Sequence, residues 1–378
     1  MSAVLLRAQP PVQQAANSKE GCAATTPRLT LLGTGTVGSA FVARYQRLRD
    51  AGAALPHFGV LANSRGAARC GDDPIAALQV AASLPHALRT HDFDIAAFAA
   101  DDVIVDATAS DAVAAHHAAW LARGIHVVTA NKLGNGAEFG RAQAIARAQR
   151  ASGARYGDSA TVGAGLPLLR SIRELVAGGD RIRAIEGVLS GSLAWLFDRF
   201  DGMRPFSGFV REAGAAGYTE PDPRIDLSGE DVRRKLLILA RAAGLSLEAH
   251  QVQVDSLVPG LLAAASMDDA FDAQLALLDA PLRARYQQAY RDGARLRFVG
   301  RFDAGIHGDC RASVGLCALP AAHPLCSGSG TDNRVAIRSC RYREQPLVIQ
   351  GPGAGAEVTA AALLDEVLQI ARAAIVRR

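Results

Sequence analysis

Short apolar runs alternate with amphipathic segments along the first half of the chain. Strands are predicted at the almost wholly apolar runs, which lie at residues 28–32, 58–62, 103–106 and 125–128. Helices are predicted where apolar residues recur at helical spacing, at residues 39–48 and 111–123. Strands that alternate with helices indicate an α/β fold built on a doubly wound parallel sheet.

The pattern changes after about residue 165. Three longer runs predict neighbouring strands of a mixed sheet, at residues 296–302, 312–319 and 334–340. A further strand is predicted at 347–349 and a last helix at 357–376. The resulting domain prediction is a disordered tail at 1–27, a first domain at 28–165 and 345–378, and a second, α+β domain at 166–344.

A glycine motif follows the first predicted strand directly and leads into the first predicted helix. It reads Gly33-Thr34-Gly35-Thr36-Val37-Gly38. In this context the first glycine allows a tight turn, the second lets the backbone approach a pyrophosphate, and the third lets the helix pack closely on the sheet. The free N–H groups of the helix N-terminus favour phosphate binding. The motif therefore predicts a Rossmann-type dinucleotide site in the first domain.

The residues after the second strand bear on the choice of cofactor. An acidic residue there would hold the ribose 2′-hydroxyl of NAD, but this chain has Asn63-Ser64-Arg65-Gly66. Arg65 can pair with a 2′-phosphate, which favours NADP. NAD stays possible, because a loop arginine can also be simply solvated.

Composition excludes several classes of protein. The formal net charge of +4 is spread along 378 residues, and no basic run is interleaved with aromatic residues, so nucleic-acid binding is not expected. No apolar stretch is long enough to span a membrane, and the N-terminus has no convincing signal peptide. The six cysteines form no CxxC pair, which fits free thiols in the cytoplasm rather than a zinc or redox site.

Lysine is rare among the 41 lysine and arginine residues, and it occurs only at Lys19, Lys132 and Lys235. Arginine fills most surface roles of lysine but cannot release a proton near neutral pH. Lys132 follows the strand at 125–128, and the turn at 106–110 follows the strand before it. Both therefore reach the carboxyl edge of the parallel sheet, where ligands bind. This placement favours a proton-transfer role over chance survival of a lysine.

Lys235 ends a polar segment, residues 217–235, whose prolines predict a rigid, extended first half. The segment carries several carboxylates, at Glu220, Asp222, Asp226 and Asp231. The helix that follows is apolar on nearly all faces through 236–240, so it should be buried. Asp231 and Lys235 are four residues apart on that helix and can pair. Alternatively, Ser228 and Asp231 form a capping box, and the other carboxylates form an acidic loop without a ligand.

These motifs together resemble the homoserine dehydrogenase family over roughly residues 28–376. The likeness is greatest to the form fused to aspartokinase, although no kinase domain is present. The segments that carry the resemblance are residues 33–38, 129–132, 160–167, 189–193, 217–235, 351–355 and 358–360.

The resemblance implies a reversible NAD(P)H-dependent reduction of L-aspartate 4-semialdehyde to L-homoserine, a step toward threonine, methionine and isoleucine. It implies that Lys132 and Lys235 handle the proton, so their ammonium groups should converge at one nicotinamide ring. The substrate-binding residues implied are Ser192, which matches a family threonine, with Gly217, Tyr218, Glu220, Asp226 and Asp231. The expected cofactor contacts are Gly33, Thr34, Gly35, Thr36, Val37, Gly38, Arg65, Thr108, Lys132 and Gly353.

The resemblance also implies a partner and an ion. The second domain would bind substrate and form a homodimer. Backbone oxygens of the loop at 160–166 can hold a monovalent cation such as sodium in the family. The corresponding residues here are Ser159, Val162, Ala164 and Leu166. Ser159 stands where some relatives have glutamate.

Two other interpretations stay open at the level of sequence. A regulatory or binding module could keep the dinucleotide fold without turnover, but Lys132 and Lys235 are both intact. A different amino-acid or hydroxy-acid dehydrogenase is a further alternative, and the motif at 220–235 is the main argument against it.

Overall fold

The structure is a computed structural model that describes residues 27–83, 98–264, 269–305 and 309–376. Almost all of the predicted disordered tail lies outside these residues. The strands are β1 (Arg28–Leu32), β2 (His57–Asn63), β3 (Gly66–Arg69), β4 (Val103–Asp106), β5 (His126–Thr129), β6 (Tyr156–Gly157), β7 (Ile182–Val188), β8 (Val252–Val254), β9 (Ala294–Ala304), β10 (Cys310–Pro320), β11 (Asp332–Ser339) and β12 (Leu347–Pro352). The α-helices are α1 (Thr36–Asp50), α2 (Pro74–Ser83), α3 (Asp111–Ala122), α4 (Phe139–Ser152), α5 (Leu168–Ala177), α6 (Gly191–Arg199), α7 (Phe206–Ala215), α8 (Pro223–Leu227), α9 (Glu230–Ala242), α10 (Gly260–Ala263), α11 (Asp269–Leu275), α12 (Asp279–Arg291) and α13 (Ala356–Val376).

The first sheet has the strand order β3-β2-β1-β4-β5-β6. All neighbours in it are parallel except β2 and β3, which form an antiparallel pair at the edge. This arrangement confirms the doubly wound sheet, while the short edge strand β3 was not predicted. The chain runs outward from β1 to β2 on one side and to β4 on the other. Ligands of such sheets bind at this reversal, beyond the carboxyl ends of the strands.

Helices cover both faces of the first sheet. On one face α1 and α13 pack together, and their side chains Phe41, Tyr45 and Leu363 belong to one apolar cluster. On the other face α3 and α4 contribute Trp120 and Ile145 to a second cluster. Strands buried on both faces need apolar residues at every position, which is why the predicted runs were continuous rather than alternating.

The second sheet has the order β12-β11-β7-β9-β10-β8. Its neighbours are antiparallel except β8 and β10, so it is a mixed sheet as predicted. The three predicted strands are not all neighbours, however, because β7, which was not predicted, lies between β11 and β9. The placement of β12 differs from the predicted domain boundary at residue 345. β12 pairs with β11, and Leu347 and Ile349 pack on the core of the second domain. The chain therefore returns to the first domain only with α13.

Helix α9 runs through the core of the second domain. Leu236, Leu237, Ile238 and Leu239 are each at most 1% exposed, which confirms the predicted burial on nearly all faces. Each such side chain stabilises the fold by about 1.5–3 kcal/mol when it leaves water. Lys235 precedes this run and is itself only 8% exposed. The apolar run thus fixes the position of a lysine that has little access to solvent.

The segment before α9 differs from its prediction in two ways. Residues 223–227 form the short helix α8 instead of an extended loop, because the Asp222 side chain accepts a hydrogen bond from the Arg224 backbone and proline suits a first helical position. The capping box at the start of α9 is wrong. Gly229 is the N-cap, with φ 78°, and no side chain caps this end. Asp231 is therefore free to serve other partners.

Two further observations bear on membrane spans and on the state of the cysteines. None of the helices in the described residues is both long and apolar enough to cross a membrane. The five cysteines within those residues are all free thiols.

Candidate active site

The glycine motif forms a tight turn between β1 and α1. Gly33 has φ 94°, and a Cβ atom on Gly38 would lie 1.9 Å from the Gly33 carbonyl oxygen. A Cβ on Gly35, in contrast, would have no heavy atom within 4 Å. Gly35 is also the N-cap of α1, and no side chain caps that end. The turn therefore closes tightly on the sheet side and leaves a bare helix N-terminus open to an anion, which fits a dinucleotide pyrophosphate.

A cavity of about 700 Å³ opens above this turn. Five of the predicted cofactor contacts line it, namely Gly33, Thr34, Gly35, Arg65 and Thr108. Thr36, Val37 and Gly38 instead form the first turn of α1, beneath the cavity. The volume falls within the range of cofactor and ligand pockets in proteins. The cavity lies where the strand order reverses, so shape, position and open backbone all fit a dinucleotide.

Arg65 lies at the far wall of the same cavity. Its Nη1 donates to the Ala82 carbonyl oxygen at 2.8 Å, and its backbone N–H donates to Asn63 Oδ1 at 2.8 Å. Asn63 Nδ2 donates in turn to Thr34 Oγ1 at 2.9 Å. Within the described ranges Arg65 has no carboxylate partner. Its charge is therefore available to a phosphate at the position where Rossmann domains bind the adenosine ribose.

The two motif lysines meet at one carboxylate. Lys132 Nζ lies 3.3 Å from Asp231 Oδ1, and Lys235 Nζ lies 2.8 Å from Asp231 Oδ2. Burial opposes ionisation of this carboxyl group, but the two ammonium groups outweigh it and hold the pKa of Asp231 well below its usual range. The two lysines are far apart in sequence and come from different domains. The fold thus brings the two ammonium groups together at Asp231, while their convergence at a nicotinamide ring stays a prediction.

Lys235 has a second, uncharged partner. Its Nζ donates to the Leu189 carbonyl oxygen at 2.7 Å. Leu189 follows β7 and precedes Ser190, the N-cap of α6. The side chain of Lys235 is 10% exposed, against 35% for Lys132. Lys235 is therefore the buried, fixed member of the pair, and Lys132 is the more accessible one.

A buried polar network anchors the turn that carries Lys132. Asp106, at the end of β4, is fully buried, and its carboxylate accepts hydrogen bonds from Asn131 Nδ2 at 3.0 Å and from Thr108. His117 Nε2 lies 3.0 Å from the same carboxylate. Asn131 also donates to the Ser110 carbonyl oxygen in the cavity wall. The network thus ties the residue before Lys132 to the cofactor cavity.

Sequence reasoning assigned no role to Asp106, Asn131 or His117. The signal was present for Asp106, since a carboxylate that ends an apolar strand needs partners. No sequence signal singled out His117, whose fully buried ring bridges Asp106 and the Tyr156 hydroxyl. Its neighbour in the chain, His116, stacks on Trp120 instead.

The predicted substrate residues of α6 and the 217–235 segment form a second polar group. Ser192 Oγ donates to Asp226 Oδ1 at 2.7 Å, and the Glu220 backbone N–H donates to Asp226 Oδ2 at 2.9 Å. The ring of Tyr218 packs on Trp195 at 5.3 Å between centroids. These contacts bring three of the predicted residues together. Gly217, with φ 72°, is exposed and makes the turn that leads into the group.

The predicted contact Gly353 lies beside the lysine pair rather than in the large cavity. A Cβ atom on Gly353 would come within 2.0 Å of Cγ of Asn333, and it would also lie 2.2 Å from Nδ2 and 2.4 Å from Oδ1. Asn333 is fully buried, and its Nδ2 donates to the Leu189 carbonyl oxygen that Lys235 also uses. Glycine at 353 is thus required by the packing of Asn333. Any contact of Gly353 with a cofactor would therefore be made by its backbone.

The predicted cation loop lacks an available carboxylate. Ser159 offers a hydroxyl, and the adjacent Asp158 is fully buried and bound by Arg173 at 2.6 and 2.8 Å and by Asn135. Val162 and Ala164 are buried, and Ala164 has φ 48°. The described residues contain no cluster of three metal-ligating side chains. A cation held by Val162, Ala164 and Leu166 would meet neutral oxygens alone, so no chemical step is derived from it.

Comparison with known proteins identifies the family. The family profile described as homoserine dehydrogenase matches residues 167–368, and the profile of the NAD-binding domain of homoserine dehydrogenase matches residues 33–157. The chain belongs to the homoserine dehydrogenase family. This membership confirms the resemblance drawn from the motifs, and with it the α/β fold class.

Three relatives illustrate the match. The chain is 39% identical over 274 residues to homoserine dehydrogenase of Schizosaccharomyces pombe, covering 71% of this chain and 72% of that protein. It is 45% identical over 269 residues to the chloroplastic bifunctional aspartokinase/homoserine dehydrogenase 2 of Zea mays, covering 71% of this chain but only 29% of that protein. A hyperthermophilic archaeal homoserine dehydrogenase solved in complex with NADPH shares the fold, with a TM-score of 0.68 at 20% identity, covering 92% of this chain and 98% of that one.

Proposed function

We propose that the protein is a homoserine dehydrogenase that reversibly reduces L-aspartate 4-semialdehyde to L-homoserine with NADPH, in the biosynthesis of threonine, methionine and isoleucine. The observation that carries this proposal is the pair of ammonium groups on one carboxylate, Lys132 and Lys235 on Asp231. Membership of the family and the similarity to the Schizosaccharomyces pombe enzyme support the choice of substrate.

The acidic residues near the pair suit an amino-acid substrate. Asp226 is partly exposed, and its carboxylate is held by Ser192 and by the Glu220 backbone. Glu220 is an exposed residue of the same loop. In our proposal these carboxylates bind the substrate ammonium group, and the lysines lie on the side of the reacting oxygen. Opposite charges at the two ends would orient the substrate along the site.

The proton chemistry follows from the lysines. NADPH, when bound, would supply a hydride to the aldehyde carbon. Lys132, the more accessible ammonium group, stabilises the negative charge that develops on the aldehyde oxygen. Lys235 donates a proton to that oxygen, and in the reverse direction the neutral amine accepts the hydroxyl proton. Asp231 holds both nitrogens and stays ionised, because its pKa is lowered by the same two groups.

For the cofactor we propose NADP(H) over NAD(H). The Arg65 guanidinium lines the cavity without a carboxylate partner in the described ranges, and the second strand ends in Asn63 rather than in an acidic residue. The archaeal homoserine dehydrogenase that shares this fold was solved with NADPH. Gly33, Gly35 and the first turn of α1 would hold the pyrophosphate, and Thr108 would line the opposite wall.

The test is the oxidation of homoserine by lysine-to-arginine variants. Lys132→Arg and Lys235→Arg keep the positive charge but remove the group that can give up a proton. In Lys235→Arg we expect kcat to fall by about a hundredfold to ten-thousandfold, the usual contribution of general acid–base catalysis. Lys132→Arg should lose less, because its charge can still stabilise the developing negative charge on the aldehyde oxygen. Arg234→Lys is the matched control, since Arg234 is exposed and adjacent to Lys235. Full activity in Lys235→Arg would contradict the role assigned to Lys235.

The same experiment separates the alternatives. A binding module without turnover predicts no homoserine oxidation by the unmodified chain with either cofactor. A different dehydrogenase predicts activity with another amino or hydroxy acid and none with homoserine. The acidic group around Asp226 favours an amino-acid substrate over a hydroxy acid, and the assay decides between homoserine and other amino acids.

Three further parts of the proposal concern assembly, ions and compartment. We propose a homodimer formed through the second domain, which light scattering coupled to gel filtration tests. We propose that the backbone oxygens of Ser159, Val162, Ala164 and Leu166 can hold a monovalent cation such as sodium, which a comparison of activity in sodium chloride and in choline chloride tests. The compartment proposed is the cytoplasm, supported by the free thiols of the described cysteines. Plant relatives are named as chloroplastic, and cell fractionation would decide.

A further inference from the structure

We propose that Asn333 is a positioning residue for Lys235 and acts through the Leu189 carbonyl group. The inference rests on the proposed function, in which Lys235 transfers the proton. Neither Asn333 nor the Leu189 carbonyl belongs to the predicted site.

The register places the two groups just beyond the paired part of two neighbouring strands. β7 and β11 pair from Ile182 and Ser339 to Val188 and Arg334. Leu189 and Asn333 are the next residues on each strand, and no ladder pair joins them. The Asn333 side chain makes the missing connection, because its Nδ2 donates to the Leu189 carbonyl oxygen at 3.3 Å. The side chain thus holds a carbonyl group that the sheet itself leaves unpaired.

The orientation of the Asn333 amide is determined by this contact. A carbonyl oxygen can accept from Nδ2 but would repel Oδ1, so the amide nitrogen faces Leu189. Oδ1 then has no hydrogen-bond partner in the part of the chain that the structure describes, although Asn333 is fully buried. Such an oxygen costs about 1–3 kcal/mol of stability. A leucine of similar size would avoid this cost, so stability does not explain why an amide stands here.

The contact bears directly on Lys235. Its Nζ donates to the same Leu189 oxygen at 2.7 Å, so that oxygen has two donors and both of its lone pairs are used. Asn333 cannot turn away, because Gly353 lies against its amide with no room for a Cβ atom. The carbonyl group is therefore fixed, and with it the direction of the Lys235 ammonium group.

Sharing the oxygen has a second consequence. The Asn333 amide competes for the Leu189 oxygen, so its removal should strengthen the bond between that oxygen and the Lys235 ammonium group. The charged group that contacts Lys235 is Asp231, with Lys132 on its other oxygen. Among the charged residues nearby, Glu186 pairs with His323, Arg334 donates to Gln350 and Asp226 accepts from Ser192. On α9 itself, Glu230 pairs with Arg233.

The test measures the pH dependence of homoserine oxidation in Asn333→Leu and Asn333→Asp. Asn333→Leu removes the competing donor, and we expect kcat to fall about tenfold. The rise of kcat with pH, which requires a neutral Lys235, should move to higher pH by a few tenths of a unit. Asn333→Asp keeps the shape and places a carboxylate within about 6 Å of Lys235 Nζ. We therefore expect the rise of kcat with pH to move to higher pH by about one unit. KM for homoserine should change less than kcat in both, since Asn333 touches no predicted substrate group.

The control is Ser339→Ala, at the other end of β11. Ser339 is fully buried and donates to Asp180 Oδ2 at 2.6 Å, remote from the lysines. Its loss should lower the melting temperature and leave the pH profile unchanged. If the Asn333 variants behave like Ser339→Ala, Asn333 has only a structural role and the inference is overturned. If the unmodified enzyme fails to oxidise homoserine at any pH, the proposed function fails instead.

Discussion

Asp231→Asn is the substitution that examines the lysine pair most directly. Asparagine has the same shape and keeps one oxygen for a hydrogen bond, but the negative charge between Lys132 and Lys235 is lost. Each nitrogen sits on a different oxygen of that carboxylate, at 3.3 and 2.8 Å. The substitution therefore leaves two ammonium groups close together with no counter-ion between them. One of them responds by losing its proton more readily.

The size of the effect can be worked from these distances. An ion pair at 4 Å is worth about 4 kcal/mol at an effective dielectric of about 20. The Asp231 side chain is 40% exposed, so solvent screens part of this energy. The repulsion between the two ammonium groups is present with and without the carboxylate, so only the lost attraction to Asp231 contributes to the change. After screening we expect about 1–2 kcal/mol in total, which corresponds to a shift of about one pH unit.

The assay is the rate of NADPH formation from homoserine, measured from about pH 6 to about pH 11 so that it brackets the ordinary range of lysine ionisation. In Asp231→Asn the rise of kcat with pH, which requires a neutral Lys235, should move to lower pH by about one unit. The maximal kcat reached at high pH should fall, because Lys235 is less well oriented. If the rise of kcat occurs at the same pH as in the unsubstituted enzyme, the Asp231 carboxylate does not govern the proton affinity of the lysine pair. Asp222→Asn is the control, because Asp222 pairs with Arg224 and asparagine can still cap α8.

The same substitution has a signature in stability. The pKa of Asp231 is lowered in the folded protein, so its contribution is fully present above the pKa of about 3.9 expected in the unfolded chain. That contribution is lost as the pH falls below this value. The unfolding free energies of the original chain and of Asp231→Asn should therefore differ at pH 7 and converge in acid, which urea unfolding at several pH values measures.

Four other substitutions test the cofactor site and the core. Gly35→Ala should raise KM for NADPH severalfold with little change in melting temperature, whereas Gly38→Ala, whose Cβ would lie 1.9 Å from a backbone oxygen, should destabilise the fold by about 3 kcal/mol. Arg65→Ser should lower kcat/KM for NADPH about tenfold or more and change the value for NADH by less than about threefold, as steady-state kinetics with both cofactors will show. Arg173→Met removes the ion-pair partner of the fully buried Asp158 and should cost about 3 kcal/mol in urea unfolding, whereas a loss below about 0.5 kcal/mol would indicate that solvent or Asn135 replaces it.

The pair on Asp231 also explains the uneven use of lysine and arginine. A guanidinium group in place of either lysine would keep the ion pair but could not move a proton. The chain uses arginine for its other buried cations, such as Arg297 and Arg241, which hold backbone carbonyl groups. Lysine stands at both positions that pair with Asp231, and at Lys235 our mechanism needs an amine that can release its proton.

Much of the fold followed from the pattern of apolar residues. The strands at 28–32 and 103–106 have the bounds that were predicted, because residues buried on both sheet faces must all be apolar. The edge strand β3 was missed, since Gly66–Arg69 is short and small and pairs on one side only. The boundary at 345 was also missed. Whether β12 joins one sheet or the other depends on which edge is free, and local sequence does not encode that.

The sequence by itself determined the glycine turn, the buried helix α9 and the identity of both catalytic lysines as candidates, because these depend on local spacing and on residue chemistry. Only the tertiary structure decided that Lys132 and Lys235 share Asp231 and that Asn333 and Lys235 share the Leu189 oxygen. Those contacts join residues from different elements that are far apart in the chain. Their distances are set by the packing of two sheets and their helices, and spacing along the sequence carries no information about such distances.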